Sequence, residues 1–297
     1  MKSKEHESRW AAEEFAEVSL GDKRLDARLV TLCERFSDAP ESPINQACAD
    51  WAETKAAYRF FQNENVGVES VMEAHRRKTA ARAAGHTTVL AIQDTSFFVY
   101  TNHPKTAGLG KMSLKKGAHV SEIFSVGLLM HTCLAVTLEG VPLGLLDQKI
   151  FARKLRPESA RRRTGGKRVQ DMLPVEEKES YRWLEALTAT HTSADGVRVV
   201  TVCDREADFY DFFKHADRLG APVLVRASQD RTVNRRTRYA EKGVAKLWDH
   251  VGRQPAAGVC TVEVHRREKT KHCGAREART AAVSVSFASF TMNPPRN

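Results

Sequence analysis

The chain has 297 residues, a length typical of one large domain with a smaller one attached and sufficient to bury a sizeable core. It carries 47 lysines and arginines against 37 aspartates and glutamates, a formal charge of +10. This excess favours a polyanionic partner, most commonly nucleic acid. No apolar run reaches the roughly 18 residues of a membrane span, and the N-terminus lacks a signal-peptide core. We expect a cytoplasmic, nucleoid-associated protein with no membrane partner.

The six cysteines form no Cys-x-x-Cys pair, and several lie in apolar runs. They are therefore interpreted as reduced, buried residues. Cys260, His265, His272 and Cys273 could suggest a zinc site, but their spacing matches no usual zinc finger. Zinc binding is therefore not predicted.

Residues 9–85 are predicted to be all-helical. Trp10–Val18 forms a short helix in this prediction, and Asp22 is a good N-cap for the next helix, Lys23–Phe36. The apolar residues of that helix recur at helical spacing and share one face, namely Leu25, Leu29, Leu32 and Phe36.

A second face of the same helix carries Arg24, Arg28, Thr31 and Arg35 at the same spacing. A helix with one packed stripe and one basic stripe can lie against a phosphate backbone. A solvated charged face explains the spacing equally well.

Two more helices are predicted at Trp51–Phe61 and Val68–Ala84. Their aromatic residues Trp51, Tyr58 and Phe61 are interpreted as core residues rather than base-stacking groups.

The pattern then changes to strands. Thr88–Gln93 is the first, and the Gly- and Lys-rich stretch from Asn102 to Val120 is predicted to be a loop. Ile123–Thr137 and Val141–Ala152 form a hairpin around a Glu-Gly turn.

Arg153–Arg168 holds eight basic residues and one acid, a composition typical of a solvated loop that could also guide DNA. After it, Pro174–His191 is predicted to be a helix with Trp183, Leu184 and Leu187 inward. The elements predicted next are strand Val197–Cys203, helix Asp208–Leu219, strand Val223–Arg226, a short helix around Val244–Val251, and strands Val259–Val264 and Ala281–Met292.

This order places three antiparallel strands first and adds the later strands in parallel beside the first one. It is the RNase-H-like topology, so the predicted fold is α/β: a helical N-terminal domain, then a mixed sheet with an incomplete β-insertion. Strands Thr88–Gln93 and Val197–Cys203 become neighbours in this arrangement.

Asp94 and Asp204 come directly after these two apolar strands. Ligands of α/β sheets gather outside the carboxyl ends of the strands, so the two carboxylates are candidates for a shared site. The alternative is that each aspartate only caps the following turn. Two carboxylates suit Mg²⁺ or Mn²⁺, and a pair of such ions can activate the attacking oxygen and stabilise the leaving oxygen of a phosphodiester.

The sequence resembles the cut-and-paste DDE transposases of bacterial insertion sequences along nearly all of its length. The motifs that carry the resemblance are Leu20-Gly21-Asp22-Lys23-Arg24, Ala57-Tyr58-Arg59-Phe60-Phe61, Ile92-Gln93-Asp94-Thr95, Glu177-Lys178-Glu179-Ser180 and above all Val202-Cys203-Asp204-Arg205-Glu206-Ala207-Asp208.

The resemblance implies that Asp94 and Asp204 are the first two catalytic, metal-binding carboxylates, with Mg²⁺ or Mn²⁺ as cofactor. It implies that Arg24 and Arg28 contact transposon-end DNA, where the basic stripe adds Arg35, and that Arg226 lies near the bound DNA. Double-stranded DNA is then the partner, together with self-association or association with a full-length transposase.

The family's third carboxylate, a Glu in a Tyr-x-x-Arg-x-x-x-Glu pattern beyond the β-insertion, has no counterpart here. We therefore expect a transposase truncated within or just after the insertion. The predicted domains are a DNA-binding domain at 1–85, a catalytic core at 86–230 and the insertion at 231–297.

Two other functions stay open. One is a catalytically inactive DNA-binding remnant that occupies transposon ends or inhibits a full-length partner. The other takes Asp94-Thr95-Ser96 as the nucleophile loop of an aspartyl-phosphate phosphotransferase, although such enzymes rarely carry an Arg-rich helical domain.

Overall fold

The computed structural model describes residues 10–100, 102, 105–117, 120–153, 163–164, 167–168, 173–191, 196–233, 245–270 and 273–294. The chain divides into two compact units. The first comprises Met1–Ala207 with Asp211–Val225, and the second comprises Asp208–Tyr210 with Arg226–Asn297. The predicted three-domain division remains a prediction.

In the described part of the first unit, five helices come before the sheet. They are α1 (Trp10–Glu14), α2 (Lys23–Asp38), α3 (Ile44–Ala47), α4 (Trp51–Phe61) and α5 (Val68–Ala83). The predicted N-cap is confirmed: the Asp22 carboxylate accepts a hydrogen bond from the Arg24 backbone N–H at 2.8 Å. Asp50 caps α4 in the same way through the Glu53 N–H.

The apolar stripe of α2 packs inward as predicted, since Leu29 and Leu32 are buried in a cluster with residues of α4 and α5. The prediction for the aromatic residues of α4 is wrong. Trp51, Tyr58 and Phe61 are 71%, 48% and 54% exposed. The face of α4 that packs inward carries smaller side chains together with Phe60, namely Thr54, Ala57 and Phe60.

A six-stranded sheet follows the helices. Its strands are β1 (Thr88–Val99), β2 (Gly110–Gly117), β3 (Val120–Val136), β4 (Pro142–Phe151), β7 (Arg198–Cys203) and β8 (Val223–Val225). Between β4 and β7 the described residues also form the two-residue strands β5 (Arg163–Thr164) and β6 (Lys167–Arg168), which pair with each other. The rest of the predicted basic loop lies outside the described residues.

The pairing of the sheet follows the predicted order. Strand β3 pairs antiparallel with β1 and β4, whereas β7 pairs in parallel with β1 and β8. The predicted α/β class, helices first and a mixed sheet after them, is confirmed. One element was missed: β2 lies within the predicted loop Asn102–Val120 and pairs with β3.

Two helices connect the later strands. Helix α6 (Tyr181–His191) precedes β7, and α7 (Tyr210–Leu219) joins β7 to β8. Helix α6 begins later than predicted because Val175–Glu177 forms a separate 3₁₀ turn, while Trp183, Leu184 and Leu187 are buried as expected. Helix α7 also begins later, after a 3₁₀ turn at Arg205–Ala207.

One face of the central strands is covered by helices. Val89 and Ala91 of β1 lie in a buried cluster with Cys133 of β3, Val199 of β7 and Ala83 of α5. The Trp183 ring of α6 packs edge to face on His131 of β3, with ring centroids 4.6 Å apart. The core of the sheet therefore lies on this face.

Helix α5 also lies against β4, and α1 contacts α5. His75 Nε2 of α5 accepts a hydrogen bond from the Leu145 N–H of β4 at 2.8 Å, and Arg82 Nε donates to the Leu143 carbonyl at 2.6 Å. Glu14 of α1 contacts both His75 and Arg82. This approach requires glycine at 144, which has φ +133°, because a Cβ there would overlap the Thr79 hydroxyl.

The second unit is mostly strands. Strands β9 (Thr232–Val233) and β10 (Ala245–Lys246) pair ahead of helix α8 (Leu247–Gly252), and β11 (Gly258–Val264) pairs with β12 (Arg279–Val285). Asp208 is buried in this unit, where it accepts hydrogen bonds from Ser228 and is paired with Arg231.

Across the residues that the structure describes, helices that combine the length and the hydropathy required to cross a membrane are absent.

Candidate active site and nucleic-acid interface

Asp94 and Asp204 lie at equivalent positions of two neighbouring parallel strands. The register between β1 and β7 ends with Gln93 opposite Cys203. Asp204 is the first residue after β7, as predicted. Asp94 was predicted to follow its strand, but it lies within β1, because pairing with β3 extends that strand to Val99. The predicted adjacency of these strands is thus confirmed. Since adjacent strands lie about 4.8 Å apart, the two residues lie side by side where the pairing of β1 with β7 ends.

The two aspartates are exposed because of strand alternation. Gln93 and Thr95 of β1 are buried on the helix-covered face, and successive side chains of a strand point to opposite faces. Asp94 therefore points to the other face, like Ile92, which is 37% exposed. Among the described residues, Asp94 has no hydrogen-bond donor, so its carboxylate oxygens are open to an external ligand.

Asp204 has a structural role in addition. Its Oδ1 accepts a hydrogen bond from the Glu206 N–H at 2.7 Å, so it caps the 3₁₀ turn Arg205–Ala207. The prediction that Asp204 caps the following turn is therefore confirmed. One capped oxygen also fixes the carboxylate plane, which orients the group for a further ligand.

A buried polar cluster lies on the helix-covered face of the sheet, opposite to the face on which Asp94 is exposed. His131 Nδ1 is 2.9 Å from Thr95 Oγ1, and His131 Nε2 is 3.3 Å from Gln93 Oε1. Arg182 Nε of α6 donates to the same Thr95 oxygen at 3.0 Å. Sequence reasoning missed this cluster, although polar residues alternating within an apolar strand were a usable signal.

His131 is neutral in this setting. Its burial lowers the pKa from 6.5 to about 4, and the nearby positive charges of Arg182 and Lys149 add to the effect. Because Thr95 Oγ1 accepts from Arg182, its proton is directed at His131 Nδ1, and Nε2–H then donates to Gln93.

This pKa predicts a specific loss of stability in acid. The unfolded state binds a proton near pH 6.5 and the folded state only near pH 4, so stability is complete above pH 6.5 and falls as the pH drops towards 4. We expect protonation of this one group to lower the free energy of unfolding by about 3 kcal/mol between pH 7 and pH 4. Urea unfolding at pH 7 and pH 4 should show this dependence in the wild type and lack it in His131→Gln. Parallel pH profiles of the two proteins would contradict the assignment.

The donor set at the strand ends fits a hard divalent cation in part. Asp94 and Asp204 offer carboxylate oxygens, the ligands that Mg²⁺ and Mn²⁺ take, and water or phosphate oxygens commonly complete such sites. In the described ranges, no group of three or more His, Cys, Asp or Glu residues is placed to hold a metal. The pair alone is therefore the candidate metal site.

The arginines expected to bind DNA differ in their surroundings. Arg24 is highly exposed at the start of α2 and pairs with Asp22 at 2.7 Å, which holds the pKa of the Asp22 carboxyl below its usual range. Arg28 is half-buried, and Arg35 pairs with Glu53 of α4 at 3.2 Å. Arg35 thus also ties α2 to α4, while Arg24 presents its charge to solvent.

The remaining candidates lie in the second unit or outside the described residues. Arg226 is the first residue after β8 and belongs to the second unit. Cys260 and Cys273 are exposed rather than buried as expected, because both lie on the solvent-exposed ribbon of β11 and β12 and its loop. His272 lies outside the described residues.

Residues 7–66 match the model of a protein family described as Transposase DNA-binding. Helices α1 to α4 fall within this segment. The match confirms a resemblance to transposases for this segment, which contains the motifs Leu20-Gly21-Asp22-Lys23-Arg24 and Ala57-Tyr58-Arg59-Phe60-Phe61.

Two solved structures of Mos1 are similar to the chain at low level. The Mos1 Strand Transfer Complex has 15% identity and a TM-score of 0.24, with 67% of this chain and 57% of that chain covered. A pre-cleavage Mos1 transpososome has 12% identity and a TM-score of 0.19, with 66% and 58% covered. This chain thus spans less than two thirds of either Mos1 chain.

Proposed function

We propose that this chain, in which residues 7–66 match a transposase DNA-binding family, acts on transposon-end DNA of a bacterial insertion sequence through a metal-dependent site at Asp94 and Asp204. The reaction is phosphodiester hydrolysis followed by strand transfer. The observation that carries the proposal is the register of β1 and β7, which sets the two aspartates side by side where the parallel pairing of these strands ends. The strand order supports an RNase-H-like core.

Asp94 and Asp204 would hold Mg²⁺ or Mn²⁺ at this sheet end. The cation supplies a Lewis acid that polarises a phosphate oxygen and lowers the pKa of a bound water. The protein orients the Asp204 carboxylate through the Glu206 N–H and leaves the Asp94 carboxylate open to the ligand. Because Ile92 and Asp94 share the exposed face of β1, a DNA strand can approach from that side.

Nicking of supercoiled plasmid tests the proposal. The plasmid carries the sequences that flank the reading frame, and the reaction is run with Mn²⁺ and with EDTA. We expect Mn²⁺-dependent nicking that Asp204→Ala abolishes, with the protein tested alone and together with the residues encoded downstream. Nicking that survives in Asp204→Ala would overturn the assigned site.

A second function, a DNA-binding protein without cleavage activity, is favoured by one observation. Among the described residues no third carboxylate joins Asp94 and Asp204. Such a protein would occupy transposon ends and reduce the activity of a full-length partner. Specific end binding without nicking in either arm of the plasmid experiment supports this function.

DNA binding should depend on the basic stripe of α2. Replacing Arg24 and Arg28 with alanine removes two phosphate contacts in this proposal, and each contact changes the slope of log affinity against log salt by about one unit. We therefore expect the double variant to bind with a slope smaller by about two. Affinity is measured by fluorescence anisotropy between 50 and 300 mM KCl.

The control for that experiment is Arg218→Ala, which removes an exposed arginine from α7. Its slope should equal that of the wild type. A wild-type slope in the Arg24/Arg28 double variant would mean that these side chains are only solvated.

A further inference from the structure

We propose that Arg182 is a positioning residue, which fixes the segment of β1 that carries Asp94 relative to the turn that carries Asp204. The inference rests on the proposed metal site, because the positions of these two carboxylates matter only if they bind one cation. It concerns a residue of helix α6 that touches neither the metal nor the DNA in the proposal.

One guanidinium contacts both segments that carry the aspartates. Its Nε donates to Thr95 Oγ1 at 3.0 Å, and its Nη2 donates to Glu206 Oε2 at 2.6 Å. Thr95 directly follows Asp94, and Glu206 lies two residues after Asp204. The third nitrogen, Nη1, donates to the Glu179 carbonyl at 2.7 Å, which anchors the guanidinium to the residues just before α6. We call the guanidinium with these three donors the fork.

Arg182 is held rigidly. Its side chain is only 7% exposed, and its neighbour Trp183 is buried in the core under the sheet. A buried guanidinium is strongly disfavoured unless its donors are all well paired, so a fork with three acceptors has one preferred position. The group is therefore suited to set the geometry of what it contacts.

The link to Asp204 passes through Glu206. The carboxylate of Glu206 is bound to Arg182, and the backbone N–H of the same residue donates to Asp204 Oδ1 at 2.7 Å. Fixing the Glu206 side chain thus fixes the turn that orients the Asp204 carboxylate. In this proposal Glu206 anchors the turn through the oxygen that Arg182 binds, Oε2.

The link to Asp94 passes through the buried face of β1. Thr95 is bound by Arg182 and His131, and Gln93 is bound by the other nitrogen of His131. Both neighbours of Asp94 are thereby held on the covered face. Strand alternation then directs Asp94 to the opposite face, on the side where the proposal places the cation.

A lysine cannot replace this fork. Its ammonium is a point charge on a flexible stem, whereas the planar guanidinium presents fixed donors in three directions. Substitutions that disturb groups behind a metal ligand typically lower metal affinity about 10- to 100-fold. We expect Arg182→Lys to lower Mn²⁺ affinity at least about tenfold by this mechanism.

The test is a Mn²⁺ titration of the full chain, followed by electron paramagnetic resonance of the free ion. The matched control is Glu185→Gln on the same helix, α6. It removes the ion pair of Glu185 with Lys149 of β4 and leaves the three acceptors of the fork unchanged. We expect wild-type affinity in the control and at least tenfold weaker binding in Arg182→Lys, with both proteins folded by circular dichroism. Equal affinities in the two variants would overturn the proposal.

If Arg182→Lys does not fold, Thr95→Val decides. It removes one acceptor of the fork, keeps the shape of the side chain and leaves both aspartates in place. Weaker Mn²⁺ binding then supports the proposal, and wild-type binding overturns it. Tighter binding in Arg182→Lys would also overturn it, since Glu206 would then be a ligand that Arg182 withholds.

The outcome is separable from that of the metal site itself. Wild-type Mn²⁺ affinity in Asp204→Asn overturns the proposed metal site and, with it, the positioning role. Lost binding in Asp204→Asn, combined with wild-type binding in Arg182→Lys, overturns the positioning role alone.

Discussion

Asp94→Asn and Asp204→Asn are each expected to lower Mn²⁺ affinity on the order of 100-fold or more, and the double variant should be little worse than either one. Each substitution replaces a charged oxygen ligand with a neutral amide. Because the register of β1 and β7 places both residues at one site, removing the first carboxylate already destroys most of that site. Isothermal titration calorimetry at 25 °C measures the three affinities.

The control for this experiment is Asp217→Asn, an exposed aspartate on helix α7. It should bind Mn²⁺ as the wild type does. Additive losses in the Asp94/Asp204 double variant would indicate two independent weak sites, and would contradict a shared one.

Trp183→Ala is expected to destabilise the protein by about 4 kcal/mol, whereas the same substitution at Trp51 should cost less than about 0.5 kcal/mol. Trp183 is 1% exposed and packs on His131, so its loss leaves a cavity under the sheet. Trp51 is 71% exposed on α4. Urea unfolding followed by far-ultraviolet circular dichroism compares the two variants.

This comparison also tests the burial of each tryptophan. Similar losses of stability in the two variants would mean that Trp51 is a core residue after all, as the sequence suggested. A loss below about 1 kcal/mol for Trp183→Ala would contradict its placement beneath the sheet.

The neighbouring strands of the site could be predicted because their signal is local and strong. The runs before Asp94 and Asp204 are short, apolar and rich in β-branched residues, a pattern typical of neighbouring buried strands in an α/β sheet. The N-cap at Asp22 was predictable for a similar reason, since an aspartate at the start of a helix can accept a hydrogen bond from one of the unpaired backbone N–H groups there.

The missed features depend on contacts between distant residues. Arg182 resembles an ordinary surface arginine in sequence, because its burial is determined by Thr95 and Glu206, which lie 87 and 24 residues away. Strand β2 contains three lysines and two glycines, a composition that disfavours strands, and pairing with β3 overrides that preference. Trp51 was assigned to the core by residue type alone.

The contact between α5 and β4 has a consequence for association of the chain. In a hairpin that ends a sheet, unpaired N–H and C=O groups are a template on which a strand of another molecule can add. Here His75 accepts from the Leu145 N–H and Arg82 donates to the Leu143 carbonyl, so side chains of a helix occupy hydrogen-bonding positions that an added strand would need. Any intermolecular pairing along this part of β4 must first break both bonds and displace Glu14 from its two partners. The helical segment thereby opposes edge-to-edge pairing along this part of β4.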